Sequence, residues 1–169
     1  MERLWAGWRS AYLDTTGDEA PPGPGGCVFC GLLSSGQPDE ETLVVWRSPL
    51  VAAILNAFPY GSGHLLVMPV RHVGDLVEVA GEERTALWDA VHAAVEAVTA
   101  AYRPGGVNVG ANLGRAAGAG IPGHLHVHVL PRWEGDTNFM TTVAQTRVLP
   151  EPLPITRRKL QTAWPAAPI

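Results

Sequence analysis

The sequence is poor in cysteine, has no long basic tract and contains no long apolar run. Its 169 residues include two cysteines, too few for a disulfide-stabilised scaffold. No apolar stretch reaches membrane-spanning length, and the start of the chain, MERLWAGWRS, lacks the apolar core of a signal peptide. The net charge is −4 and no long basic tract stands out, which argues against electrostatic binding of nucleic acid. We therefore expect a cytoplasmic protein with no nucleic-acid or membrane partner.

What the sequence does contain is the apolar pattern of an α+β domain. With 46% hydrophobic and 17% charged residues, the chain can form one ordinary core. Residues 82–102 repeat apolar side chains at helical spacing between an acidic start and the breaker RPGG, which predicts one long helix. Five apolar runs bounded by turn residues predict a mainly antiparallel sheet. The predicted strands cover residues 42–46, 50–55, 64–69, 107–113 and 124–131, and a short second helix is expected within 155–164.

The stretch GHLHVHVLP, residues 123–131, alternates three histidines with apolar residues. In a strand, His124, His126 and His128 share one face, while Leu125 and Val127 face the core. The outer two Cα atoms are about 13 Å apart at a rise of about 3.3 Å per residue. One small ligand does not bridge that distance easily, so we expect the three histidines to have different roles.

Three interpretations of this row compete. The histidines could be polar positions on a half-exposed strand, although three uncommon residues in alternation are unexpected by chance. They could hold a catalytic metal, which requires a further ligand, and the nearest acidic residue is Glu134. They could act on phosphorus, because a neutral imidazole is a nucleophile and its neighbours can donate to the phosphate. The preceding loop GRAAGAGIPG favours the third, since its amides can form an anion-binding nest, although a plain hairpin loop is the simpler alternative.

The two cysteines form a single motif, CVFC, at Cys27 and Cys30. This spacing suits metal or redox chemistry in a reducing compartment. A structural zinc site needs four ligands, so two more would have to come from elsewhere in the chain. The alternative is a pair of buried free thiols without metal. The candidate histidines are His64, His72, His92, His124, His126 and His128.

These motifs together resemble one known family. HLHVHVL fits the His-φ-His-φ-His-φ-φ signature of the histidine-triad (HIT) superfamily, where φ is apolar. LNAFPYGSGHLLVMPVRHV resembles the family's first conserved block and ANLGRAAGAGIPGHLHVHVLPRW its second. The resemblance covers residues 27–135 and implies a HIT-like fold with a five-stranded sheet. We expect a HIT domain over residues 27–140, an aromatic segment and Pro/Gly loop at 1–26, and a C-terminal tail at 141–169.

The resemblance also implies roles for individual residues. His126 would be the nucleophile that forms a covalent nucleotidyl-histidine on the α-phosphate. His128 would donate to a phosphate oxygen, and His64 would support the triad from behind. Asn56 would contact the ribose and Asn112 the phosphate region. Phosphate-facing amides would come from the glycine-rich loop, at Gly118, Gly120 and Gly123.

The resemblance to zinc-containing HIT proteins indicates which residues would be the two remaining metal ligands. These are the histidine that closes a P-x-x-H segment, here His72 in PVRH, and the first triad histidine, here His124. The resemblance therefore implies a structural Zn²⁺ bound by Cys27, Cys30, His72 and His124. Such a zinc would tie the N-terminal segment to the active strand and would not activate water.

One departure from the family pattern points to a particular branch. Many members carry Gly-Gln-Ser/Thr in the loop, with a hydroxyl near the scissile phosphate, whereas Ile121 stands there in this chain. This argues against a phosphoramidase or simple hydrolase. LWAGWRSAYL, GCVFC and GDTNFM resemble the bacterial and archaeal group that includes diadenosine tetraphosphate phosphorylases, which use phosphate as the acceptor and release ADP. Arg115 and Arg132 are candidates for contacts to the acceptor or polyphosphate, although both could be ordinary surface residues.

The resemblance thus implies a nucleotidyltransferase or phosphorylase that cleaves dinucleoside polyphosphates. It also implies a homodimer formed through residues 84–102 and a sheet edge, with Trp88 or His92 near the partner. Three alternatives remain. They are a hydrolase of the same compounds or of nucleoside phosphoramidates, a nucleotide-binding regulatory module, and a catalytic metallohydrolase.

Overall fold

The computed structural model describes residues 26–136 and 151–166. The N-terminal aromatic segment and the GDTNFM stretch from residue 137 onward lie outside the described residues. None of the helices in the described part of the chain has both the length and the apolar character needed to cross a bilayer. The described helices are α1 (Val28–Ser34), α2 (Gly81–Tyr102) and α3 (Leu153–Ala163), and the strands are β1 (Val44–Arg47), β2 (Val51–Leu55), β3 (Leu65–Pro69), β4 (Gly106–Gly110) and β5 (Val127–Arg132).

The predicted α+β class with a five-stranded sheet is confirmed. The strands form one antiparallel sheet in the order β1-β2-β3-β5-β4. There is one more described helix than predicted, because the CVFC segment is itself part of α1. Strand β5 lies between β3 and β4, with His128 opposite Leu66 on one side and Gly110 on the other. This register brings the start of β3, and His64 directly before it, beside the triad.

Each face of the sheet is covered by a different helix. Helix α2 packs on one face, and α1 packs on the other. Because side chains alternate along a strand, Leu65 and Val67 join the α2 core while Leu66 and Met68 join the α1 cluster. Burying each such side chain stabilises the fold by roughly 1.5–3 kcal/mol. The two-sided cover explains why β2 and β3 are buried along their whole length.

The predicted strand 124–131 was wrong at its start. Strand β5 begins at Val127, so His124 and His126 precede it. The amide of Leu125 donates to the carbonyl of Val73, which lies in a loop, and pairing with β3 and β4 therefore begins later. The predicted alternation is kept, because Leu125 and Val127 belong to the α2 core. In the same way β4 ends at residue 110 rather than 113, before the glycine-rich loop.

Helix α3 closes the edge of the sheet beside β1. The indole rings of Trp46 and Trp164 stack with centroids 5.4 Å apart and planes inclined by 14°. Arg157 is 3% exposed, and its Nε donates to the carbonyl of Val44 at 2.7 Å. Its Nη1 lies 3.1 Å from a carboxylate oxygen of Glu40. The C-terminal helix is thus joined to β1 by stacking and by a buried guanidinium.

Candidate active site and metal centre

His126 is buried between the glycine-rich loop and β5. Its Nδ1 lies 2.8 Å from the carbonyl oxygen of His124. A carbonyl only accepts, so Nδ1 carries the proton and the lone pair of the neutral ring is on Nε2. Burial lowers the pKa of His126, which favours the neutral imidazole at physiological pH. A neutral ring with its lone pair on Nε2 is chemically suited to nucleophilic attack.

His64 and His128 form a hydrogen-bonded pair beside this ring. The His64 Nε2 and His128 Nδ1 atoms are 2.9 Å apart, and the His126 and His128 ring centroids are 5.1 Å apart. His64 Nδ1 accepts from the amide of Tyr60 at 3.1 Å. The structure therefore brings together the three histidines for which the sequence suggested catalytic roles.

Asn56 lies at the edge of this group, at the end of β2. Its Nδ2 is 3.4 Å from His64 Nδ1, and its Oδ1 accepts from the amide of Phe58 at 3.0 Å. The Asn56 amide donates to the carbonyl of His64 at 3.0 Å, which closes the loop between β2 and β3. The side chain for which ribose contact was predicted is therefore also part of the scaffold that holds His64.

Asn112 contacts the glycine-rich loop that precedes the triad. Asn112 Nδ2 donates to the carbonyl of Gly118 at 3.4 Å, while the Gly118 amide donates to Arg115 within the loop at 2.9 Å. Gly118 has a φ of 91°, a conformation that favours glycine. Gly120 is half-buried, and Gly123, which directly precedes His124, is exposed. The loop is thus a folded turn with its own hydrogen bonds.

Four of the predicted residues form a cluster that could bind a metal ion. The ligand atoms of Cys27, Cys30, His72 and His124 all lie within 4.8 Å of one another. His124 Nδ1 is 3.4 Å from Cys27 Sγ and 3.5 Å from Cys30 Sγ, and His72 Nδ1 is 3.3 Å from Cys30 Sγ. A tetrahedral zinc site with ordinary bond lengths has sulfur–nitrogen edges of about 3.5 Å. The two cysteines and two histidines therefore fit zinc in both chemistry and spacing.

The surroundings of this cluster also suit metal binding. His124 Nε2 donates to the carbonyl of Pro69 at 2.8 Å, which leaves Nδ1 as the ligand atom. Burial lowers the pKa of His124, which favours the neutral ring that a metal requires. Burial and the neighbouring Cys27 raise the pKa of Cys30 to about 11. A bound cation would reverse this by stabilising the thiolate.

Two aromatic residues of the site were missed by the sequence analysis. Phe29, inside the CVFC motif, packs edge-on against His124 and His126 with centroid distances of 5.5 and 5.2 Å. Tyr60 packs against His64 and His128 with centroid distances of 4.6 and 5.8 Å. Their only signal in the sequence was that each lies inside a motif chosen for other residues.

The two arginines named as charge contacts have different surroundings. Arg132 forms an ion pair with Asp136 and donates to the Asn108 side chain at 2.9 Å. The hydrogen bond with Asp136 raises the pKa of Arg132 further above its ordinary value. Arg115 is exposed at the start of a 3₁₀ turn in the glycine-rich loop. Both lie in segments next to the triad in sequence, since Arg132 ends the strand β5 that contains His128.

Comparisons with known proteins agree with this geometry. The HIT domain family model matches residues 37–135. AP-4-A phosphorylase of Mycobacterium tuberculosis is 40% identical over 169 residues, covering 99% of this chain and 87% of that protein. Bis(5'-nucleosyl)-tetraphosphatase (asymmetrical) of Schizosaccharomyces pombe is 34% identical over 93 residues, or 55% of this chain and 50% of that protein. A crystal structure of a Zn-bound histidine triad family protein from Mycobacterium smegmatis aligns with a TM-score of 0.62 and 29% identity, covering 81% of this chain and 91% of that chain.

The chain belongs to the HIT domain family. The family match spans more than half of the sequence and includes both the His64 strand and the triad. The predicted family and its fold are therefore confirmed. The relatives are named for a phosphorylase and for a tetraphosphatase, so family membership alone leaves the acceptor of the reaction open.

Proposed function

We propose that this protein is a nucleotidyl-histidine enzyme that cleaves dinucleoside polyphosphates, with inorganic phosphate as the acceptor. The observation that carries the proposal is the buried His126 ring, whose Nδ1–H donates to His124 and whose lone pair is on Nε2. The identity of 40% to a protein named AP-4-A phosphorylase, over nearly the whole chain, supports the phosphorylase reaction over other chemistry of the family.

The first half-reaction would be attack on the α-phosphorus of diadenosine tetraphosphate. The lone pair of His126 Nε2 forms the nitrogen–phosphorus bond, and the bond between that phosphorus and the bridging oxygen breaks. The bridging oxygen keeps the electron pair and leaves as part of ATP. The Nε2–H of His128 would donate to a phosphate oxygen as charge develops there. The product is an adenylyl group on His126.

The second half-reaction would regenerate the enzyme. An oxygen of inorganic phosphate attacks the same phosphorus, the nitrogen–phosphorus bond breaks, and ADP leaves. The sum is diadenosine tetraphosphate plus phosphate to ATP plus ADP. Asn56 would contact the ribose and Asn112 the phosphates. Amides of the loop would assist at Gly120 and Gly123, whereas the predicted Gly118 amide already donates to the carbonyl of Arg115 within the loop.

We also propose that the resident metal is a structural zinc. The Cys₂His₂ donor set and the sulfur–nitrogen distances support zinc over a hard cation. When bound, zinc would crosslink α1 to the segment before β5 and hold both cysteines as thiolates. All four of its ligands would come from the protein, so the zinc would have no open position for a water and the attack on phosphorus would be left to His126.

Hydrolysis is the second candidate, because one relative is named as an asymmetrical tetraphosphatase. The experiment that separates the two is product analysis with diadenosine tetraphosphate, with and without inorganic phosphate. ADP and ATP formed only in the presence of phosphate would support the phosphorylase. Formation of AMP and ATP at the same rate with and without phosphate would instead show that the protein is a hydrolase. If only an adenosine phosphoramidate were cleaved, the proposed role of His126 would be supported and the proposed dinucleotide substrate would be refuted.

We propose that the enzyme is a homodimer. Trp88 on α2 is 47% exposed, and Val109 on the terminal strand β4 is 45% exposed. A helix face and a sheet edge with such side chains are suited to a partner subunit. Light scattering of the wild type and of a Trp88→Glu, Val109→Glu variant measures the assembly directly. A wild-type monomer would refute the proposal, and a dimer that persists in the variant would move the interface elsewhere.

A further inference from the structure

Tyr60, in the loop between β2 and β3, controls where the protons of two site histidines lie. Its backbone amide donates to Nδ1 of His64 at 3.1 Å. An amide cannot accept, so the neutral His64 ring carries its proton on Nε2. That proton faces Nδ1 of His128 at 2.9 Å, and the proton of neutral His128 is therefore on Nε2. The Tyr60 amide thus favours one tautomer of two successive imidazoles, and the more distant Asn56 Nδ2, at 3.4 Å from the same Nδ1, favours the same one.

The side chain of Tyr60 covers the same two imidazoles. Its ring centroid is 4.6 Å from that of His64, with planes inclined by 45°. It is 5.8 Å from that of His128, with planes inclined by only 18°, which is an offset stack. A swing of either imidazole out of its plane would break this packing. The amide of Tyr60 therefore fixes the protons, and its ring fixes the planes.

The loop that carries Tyr60 is itself held in place. The Asn56 amide donates to the carbonyl of His64 at 3.0 Å and closes the loop at its base. Gly63 has a φ of 80°, and a Cβ atom there would lie 3.0 Å from both Pro131 and Tyr102. A side chain at this position would crowd Pro131 in β5 and Tyr102 at the end of α2, so glycine suits this point of the loop. The position of the Tyr60 amide is a consequence of that packing.

We propose that Tyr60 is a positioning residue of the nucleotidyl-transfer site, which holds His128 with its Nε2–H ready to donate to the phosphate. The role in catalysis rests on the proposed function, whereas the tautomers belong to the free protein. Tyr60 acts through His64 and His128 and does not exchange a proton with the substrate. Its backbone amide and its aromatic ring carry this role.

The kinetic test compares Tyr60→Leu with Tyr60→Phe, using diadenosine tetraphosphate and inorganic phosphate. In Tyr60→Leu we expect kcat to fall about tenfold or more with KM changed by less than about threefold, because a transition-state contact is disturbed. Tyr60→Phe should restore most of this loss. Val77→Ala, at a residue that is 85% exposed, is the control. Wild-type kcat in Tyr60→Leu, or equal losses in the two Tyr60 variants, would overturn the proposal.

Nitrogen-15 NMR of the histidine rings tests the proposal without substrate. At a pH where the rings are neutral, we expect His64 and His128 in the wild type to carry their protons on Nε2. Tyr60→Leu keeps the backbone amide, so His64 and His128 should keep these tautomers while the packing of the tyrosine ring on them is lost. A wild-type His64 protonated on Nδ1 would overturn the proposal even in an active enzyme. If the expected tautomers occur but diadenosine tetraphosphate is not cleaved, the proposed function fails and the positioning role of Tyr60 stands.

Discussion

The Nε2 atom of His124 lies 2.8 Å from the carbonyl oxygen of Pro69, and this contact points His124 Nδ1 at the sulfur atoms of Cys27 and Cys30. The backbone carbonyl of His124 accepts a hydrogen bond from Nδ1 of His126 at 2.8 Å. One residue thus belongs to both the metal cluster and the support of the candidate nucleophile. Loss of the metal should therefore disturb the position of the His126 ring.

Elemental analysis is expected to find about one zinc per chain in the wild type. The Cys27→Ser, Cys30→Ser double variant should lose the metal, and His72→Ala should weaken its binding. His92→Ala is the matched histidine control and should keep it, because His92 is on the exposed face of α2. An equal metal content in the double variant and the wild type would refute the zinc assignment. Chelation should lower the unfolding temperature and the activity together, since a structural metal contributes folding free energy.

His126→Ala is expected to lower turnover by at least about a thousandfold, because it removes the atom that would form the covalent intermediate. Nucleotide affinity, measured by calorimetry, should change by less than about threefold. His92→Ala should retain wild-type turnover. If His126→Ala turned over at the wild-type rate, a covalent mechanism at this histidine would be excluded.

Arg157→Leu is expected to destabilise the fold. The guanidinium is 3% exposed and donates to the carbonyl of Val44, so its removal leaves a buried acceptor without this donor. Such a loss costs about 1–3 kcal/mol. Thermal unfolding should show a midpoint several degrees lower. Arg158→Leu, on the exposed side of α3, is the matched control and should unfold near the wild-type temperature.

Glu151 should make the stability pH-dependent. Burial alone would raise its pKa, but hydrogen bonds from Lys159, Tyr102 and Thr156 hold the pKa below its ordinary value of 4.5. A carboxyl with a lowered pKa stabilises the fold above its unfolded-state pKa, and this contribution is lost as the pH falls through the folded-state pKa. The wild type should therefore have a larger free energy of unfolding than Glu151→Gln at neutral pH, and this difference should disappear as the pH falls below about 4.5. A gap that is constant with pH would contradict this assignment.

Local patterns were enough to predict most of the elements. Helix α2 was expected over 82–102 and begins one residue earlier, at Gly81, because its apolar spacing and its RPGG terminator are strong local signals. The strands β1, β2 and β3 lie within about two residues of their predicted bounds. The start of β5 was misjudged, because alternation predicts an extended backbone but not its pairing partner. That partner, the Val73 carbonyl, belongs to a distant loop.

The sequence by itself determined which residue types the site has and that the histidines share one side of an extended segment. Chain connectivity and side-chain alternation are local properties, and they survive in the structure. Only the tertiary structure decided which nitrogen of each imidazole carries the proton. Those assignments depend on Pro69, Tyr60 and the His124 carbonyl, each positioned by packing. Hydrogen bonds between groups far apart in the chain follow from how the sheet and its two covering layers fit together, and no local pattern encodes them.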